Sequence, residues 1–258
     1  MHAHFVLAHP EPQSYNAHLV RSGVEALEAE GWTATVSDLY AMGFDPSERP
    51  EHFADPLNPA RFDVQAEQRH ASANGTLPEH VTAELERMEA ADLLVLQYPM
   101  WWHLPPAMLK GWMDRVFAYG EAYTSTKRFE NGRFVGKRAM LSVTVGTSRE
   151  TYEHDGRSGD IDLMLWPVNF SLAYLGYTVL DHFVAYGVEA GLRYSDPATV
   201  EARLKKVAED FKMTLTGLDG RPVIPFNRKA EWGEDGRIVP GAPVYSPFIR
   251  RRRELELE

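Results

Sequence analysis

The chain has 258 residues, 44% of them hydrophobic and 25% charged, with 27 basic against 37 acidic side chains and a formal net charge of −10. That balance disfavours general binding to a nucleic-acid backbone, which rests on basic surface, and no apolar run approaches the roughly 20 residues of a membrane span. The sequence contains no cysteine, which excludes disulfides, thiol catalysis and cysteine-ligated metals and suits a cytoplasmic setting.

The start, MHAHFVLAHP, lacks a basic stretch ahead of a long apolar one, so no secretory signal is expected. Residues 3–8 read as a short apolar strand, and residues 15–30 carry Leu19, Val20, Val24 and Leu27 at helical spacing. Residues 33–40 alternate as a second strand. Residues 43–78 form a long polar insertion, read as a functional loop or a subunit arm. A helix is predicted over 79–90. DLLVLQYP at 92–99 reads as a strand covered on both faces. Pro105 and Pro106 open a helix running to 117, where the missing N–H matters least. A fourth strand spans 137–145. The apolar stretch 160–175 is a helix that Pro167 kinks or divides. A fifth strand covers 177–187, and Leu204, Val207, Phe211 and Leu215 mark a last amphipathic helix over 196–215.

Five strands alternating with helices imply an α/β fold with a doubly wound parallel sheet. The expected organisation is one domain over 1–215 and a Pro-rich C-terminal arm over 216–258. Ligands of such sheets bind beyond the carboxyl ends of the strands, where the strand order reverses. Three loops therefore matter. In HPEPQSYNAHL, His9, Ser14 and Asn16 sit at a helix start, where amides cradle phosphate. The same residues also make a plain serine N-cap after a turn. QYPMWWHLPPAMLKGW places two tryptophans at the mouth of the site, either as a wall for a planar ligand or as a core cluster. TVGTSRETYEHDGRSGD combines Gly146, which lets backbone approach a ligand, with Tyr152 and the donors Arg149, His154, Arg157 and Ser158.

Hydrolase readings lack support, since neither a GxSxG elbow nor an HExxH helix occurs. His2 and His4 share one side of the first strand, but a terminal His pair without a carboxylate is a weak metal signal, so no metal is expected.

The runs VLAHPEPQSYN, SDLYAMGFDP, EAADLLVLQYPMWW, PPAMLKGWMDRVF, EAYT and GDIDLMLWPV, in this order, resemble the NAD(P)H quinone oxidoreductase (DT-diaphorase) family of flavodoxin-like proteins. The resemblance covers most of the chain and is weakest over the last forty residues. It implies a homodimer with FAD, rather than FMN, across the carboxyl edge of the sheet, NAD(P)H as electron donor and a quinone as acceptor. By resemblance, His9, Ser14, Tyr15, Asn16 and Ala17 hold the phosphate and ribose of the cofactor. Pro99, Met100, Trp101 and Trp102 line the flavin, Thr144, Val145, Gly146 and Thr147 bond its edge, and Tyr152 stands at its pyrimidine side. Trp102, His103, Tyr123 and Gly146 match the pocket shared by nicotinamide and quinone. Several positions depart from the family pattern. Ser158 replaces the catalytic histidine, Ser125 a pocket tyrosine, Asp63 a cofactor-binding glutamine, His103 a phenylalanine and Thr147 a glycine. Tyr152 and His154 are then the expected catalytic pair, with His154 standing in for the missing histidine. The alternative is an ancillary flavoprotein subunit of a membrane potassium-efflux transporter, docked through the basic run Arg250–Arg253.

Overall fold

The structure is a computed structural model describing residues 1–189 and 196–251. Six parallel strands form one sheet: β1 (His2–Leu7), β2 (Thr33–Asp38), β3 (Leu93–Pro99), β4 (Arg138–Thr144), β5 (Thr178–Val179) and β6 (Phe183–Ala185). Their order is β2-β1-β3-β4-β5, with β6 also pairing with β4. The helices are α1 (Tyr15–Ala29), α2 (Val64–Asn74), α3 (Glu79–Ala90), α4 (Ala107–Val116), α5 (Ile161–Tyr174) and α6 (Pro197–Thr216).

The sheet is covered on both sides because its strands alternate between two apolar faces. Phe5, Leu93, Val95 and Met140 pack with Leu19, Leu27, Phe211 and Leu215 of α1 and α6. Val6, Leu94, Leu96 and Leu141 pack with Leu85, Met88, Trp112 and Leu172 of α3, α4 and α5. The register sets the carboxyl ends of the central strands side by side: Leu7 faces Gln97, and Pro99 faces Thr144. The order reverses between β1 and β3, so the loops after β1, β3 and β4 converge there. The family fold expected from the sequence is therefore the fold observed.

Three expectations need correction. The segment 177–187 is not one strand. Arg221 donates to the carbonyls of Asp181 and His182, and these residues bulge out between β5 and β6. The insertion is not structureless: α2 is capped by Asp63, which accepts from Ala66 N at 3.1 Å, and stops at Gly75, whose φ is +64°. Pro167 does not divide α5, which runs unbroken through it. The carbonyl its missing N–H would have engaged is that of Leu163, on the exposed side of the helix.

The insertion is fixed at its start. Arg115, fully buried on α4, donates to Asp45 O at 2.8 Å and reaches Glu48 at 3.4 Å. Gly111 lets Pro46 lie directly on α4, because a Cβ there would sit 2.1 Å from the Pro46 carbonyl oxygen. Beyond α6, the chain returns along the sheet edge. Ile224 N donates to Val179 O, Asp181 N donates to Pro222 O, and Leu180 bridges Val223. None of the described helices is long and apolar enough to cross a membrane.

Candidate active site at the carboxyl edge of the sheet

Ser14 caps α1, its hydroxyl accepting from Ala17 N at 3.2 Å. No acidic side chain stands in the first turn to offset the positive helix end. His9 accepts from Glu11 N through Nδ1 at 3.0 Å, which fixes the proton of the neutral ring on Nε2. Burial pushes the His9 imidazole below its ordinary value.

Other residues of this loop are turned inward. Tyr15 donates its hydroxyl to Leu204 O on α6 at 2.6 Å, and burial raises its phenol well above the ordinary value. Asn16 is buried, bonding Thr144 Oγ1 at 3.0 Å and accepting from Gln97 Nε2 at 2.8 Å. This triad ties α1, β3 and β4 together under the site. The Asn16 side chain is thus engaged within the protein, leaving its backbone amide for a ligand. Ala17, Pro99, Thr144 and Val145 are also buried and can contribute only backbone or one edge.

The loop after β3 is a tight turn. Trp101 and Leu104 exchange both backbone bonds, at 3.0 and 3.1 Å. Between them Trp102 and His103 have φ of +52° and +63°. That type I′ geometry normally takes glycine or asparagine, and two larger residues there cost about 1–2 kcal/mol each. The strain holds Trp102 outward, 92% exposed. Trp101 is half exposed and lies beside the His9 ring, centroids 6.1 Å apart. The core-cluster alternative for these indoles is set aside. Met100, partly buried, follows β3 and bonds Thr144 O at 3.0 Å.

The third loop surfaces directly after Val145, with Gly146 and Thr147 exposed. A Cβ on Gly146 would meet nothing nearer than Val188 O at 3.8 Å, so its outer side is open. Thr147 Oγ1 bonds Thr151 Oγ1 at 2.6 Å, and Ser158 N donates to Thr151 O at 2.9 Å, folding 147–158 into a closed loop. Tyr152 and the exposed His154 line a cleft of about 470 Å3 with Arg149, Asp162, His182 and Tyr186. The two tyrosine rings are 6.3 Å apart. Sequence reasoning missed Asp162, His182 and Tyr186. Asp162 reaches the cleft from α5, His182 from the β5–β6 bulge and Tyr186 from just beyond β6, and the bulge leaves no sequence signal.

Tyr123 is not gathered with Trp102, His103 and Gly146. It packs against Tyr119 and Tyr174, centroids 5.2 and 5.5 Å away, in a groove of about 600 Å3 that also includes Val64 and Phe170. His2 and His4 are engaged by threonines, His4 bonding Thr35 Oγ1 at 2.9 Å. Among the described residues no histidine–carboxylate group is arranged to hold a metal. Arg251 donates to Ala242 O, and the rest of the basic run, Arg252 and Arg253, lies outside the described residues.

A family model of flavodoxin-like fold matches residues 1–211. The chain is 40% identical over 185 residues to NAD(P)H dehydrogenase (quinone) 1 of Cavia porcellus, covering 71% of this chain and 67% of that one. It is 39% identical over 186 residues to ribosyldihydronicotinamide dehydrogenase (quinone) of Mus musculus, covering 71% and 80%. Among solved structures, a candidate quinone reductase from Klebsiella pneumoniae superposes with a TM-score of 0.78 at 32% identity, covering 93% and 92% of the two chains. NAD(P)H:quinone oxidoreductase from Methanothermobacter marburgensis does so with a TM-score of 0.62 at 27% identity, covering 83% and 96%. The chain belongs to the flavodoxin-like family of NAD(P)H quinone oxidoreductases.

Proposed function

We propose that the protein is an FAD-dependent NAD(P)H:quinone oxidoreductase working by two-electron, ping-pong hydride transfer. The observation that carries this reading is the pairing, at the switch point of the sheet, of an outward indole wall with an open glycine loop. Those surfaces fit a flavin: a flat apolar face at Trp101 and Trp102, uncrowded backbone at Gly146, and donors at His9 and the start of α1 for phosphate. Bound flavin supplies the hydride chemistry. The chain's own residues bind, orient and stabilise. His9, Ser14 and the amides of Tyr15 and Asn16 would hold the phosphate region, with the Ala17 amide spent on the Ser14 cap. Pro99, Met100, Trp101 and Trp102 would support the ring, and Gly146 and Thr147 would bond its edge from the loop that the buried Thr144 and Val145 anchor.

With a flavin bound, Tyr152 would be placed to donate a hydrogen bond to its pyrimidine edge, where the cofactor carries its added charge. One such preorganised donor is worth roughly 2.7–4 kcal/mol. His154, on the same cleft, is the proposed proton-exchanging partner. Reduced nicotinamide and quinone take turns in one place against Trp102, His103 and Gly146. The larger dinucleotide is favoured over FMN by the insertion with α2, beyond a bare flavodoxin core. A homodimer is supported by the separate position of Tyr123. A second copy brings that aromatic groove, with its exposed Val64 and Phe170, to the indole wall.

Denaturing the purified protein and weighing the released cofactor tests the proposal, together with NAD(P)H-driven quinone reduction and sedimentation. FAD, turnover and a dimer are expected. A monomer that takes up no flavin on reconstitution overturns it.

A further inference from the structure

We infer that His182 is a positioning residue for the reaction at Tyr152, coupling the charge on its ring to the wall of the cleft. The inference rests on the flavin reading of Tyr152. His182 lies on the bulge between β5 and β6 with its side chain only 10% exposed. Its Nε2 is 3.1 Å from Asp162 Oδ1, in the first turn of α5. Its Nδ1 is buried without a hydrogen-bond partner among the described residues, 3.8 Å from Asp181 Oδ1. Behind the ring, Arg221 holds the carbonyls of both Asp181 and His182. Arg221 thus fixes the backbone that carries the imidazole, and Asp162 holds its Nε2.

A neutral imidazole has one N–H to donate. Used toward Asp162, it leaves a bare lone pair on Nδ1 facing the Asp181 carboxylate. A protonated ring keeps the Nε2 contact with Asp162 of α5 and adds a positive charge and an Nδ1–H facing the Asp181 carboxylate 3.8 Å away. The His182 contact, first among the causes, holds the Asp162 carboxyl below its ordinary value. Asp160 caps α5 and accepts from Asp162 N at 2.9 Å. The loop carrying Tyr152 runs directly into that cap, so movement of the first turn is movement of the Tyr152 wall. The other charged and titratable groups facing this ring come from every side. Asp160 stands on α5, Arg149, Glu153 and His154 on the loop, Tyr186 beyond β6, and Arg221 behind the bulge. None of them sits on the ring as Asp162 and Asp181 do.

The test has two arms. In the apoprotein, ring resonances of Tyr152 followed by NMR across the neutral range should shift together with the His182 imidazole. Asp162→Asn should abolish that co-titration. In the flavin-loaded protein, flavin reduction by NAD(P)H should show two inflections with pH, one of them lost in His154→Ala. His182→Gln, which keeps a donor for Asp162 but cannot titrate, should remove the other and retain most of the rate. His182→Ala should lower the rate roughly 10- to 100-fold, the order of a misplaced catalytic group. If Tyr152 is indifferent to the titration, or both inflections survive in His182→Gln, the inference is wrong. Failure to bind flavin instead overturns the proposed function and leaves the apoprotein arm able to decide the coupling on its own.

Discussion

Glu84 is a fully buried carboxylate joining three elements below the site. On α3, it accepts from Ser37 Oγ of β2 at 2.7 Å and from Trp112 Nε1 of α4 at 2.8 Å, and it pairs with Arg87. His4 Nε2 of β1 stands 3.9 Å away. Burial raises the Glu84 pKa, and the nearby His4 with the hydrogen bonds from Ser37 and Trp112 outweighs it, so the net shift is downward. Glu84→Gln keeps the shape but turns an amide N–H toward groups that themselves donate. Breaking a buried ion pair on one side costs about 3–5 kcal/mol. Arg87 is 38% exposed and recovers part of that in water, so a loss of about 3 kcal/mol is expected. In a domain of this size that lowers Tm by roughly 6–9 °C. The sign with pH follows from the depressed value. The carboxylate's contribution is fully present above the unfolded-state value near 4.5 and is lost as pH falls through the lower folded value. Urea unfolding at neutral and acidic pH should thus show a gap between the two proteins that closes toward acid. A variant as stable as the parent at neutral pH, or a gap indifferent to pH, would refute the reasoning.

Trp102→Ala should raise the KM for both nicotinamide and quinone roughly two- to tenfold, since a lost aromatic stack is worth about 0.5–1.5 kcal/mol. Because the indole is 92% exposed, Tm should hold or rise, and a variant that unfolds early with normal kinetics would contradict the placement. Gly111→Ala should push Pro46 off α4 and destabilise by about 1–3 kcal/mol. Limited proteolysis should then cut within residues 45–60 before the rest of the chain, and protection equal to the parent would show that the contact is dispensable.

The sheet was legible because buried strands such as Leu93–Pro99 are nearly all apolar and need no tertiary information. The helices α1 and α3 were legible for the same kind of reason. α2 was not, since its buried positions include Glu67 and Gln68 and its period is hidden by polar residues. Its caps, Asp63 and Gly75, were the available signal. The split of the last strand was invisible because Arg221, forty residues on, causes it. At the site, the loops could be named, but not the side-chain directions. Asn16 and Tyr15 read as ligand donors, yet a strand glutamine and the α6 carbonyl engage them. Gln97, a polar residue in an apolar strand, was the clue to the first of these.

Both margins of the sheet are blunted, by different means. At β2 the exposed side chains are Thr33, Thr35 and Val36, and the strand ends on Asp38. At β5 the backbone groups that would otherwise recruit a passing strand are occupied by residues 222–224 of the same chain. The C-terminal segment therefore closes this edge to strand-to-strand pairing, leaving association through other faces open. A truncation after Thr216 would bare Val179 and Leu180 beside the released Asp181–His182 bulge. Aggregation of such a fragment would then report an uncovered strand, with the sheet's interior still intact.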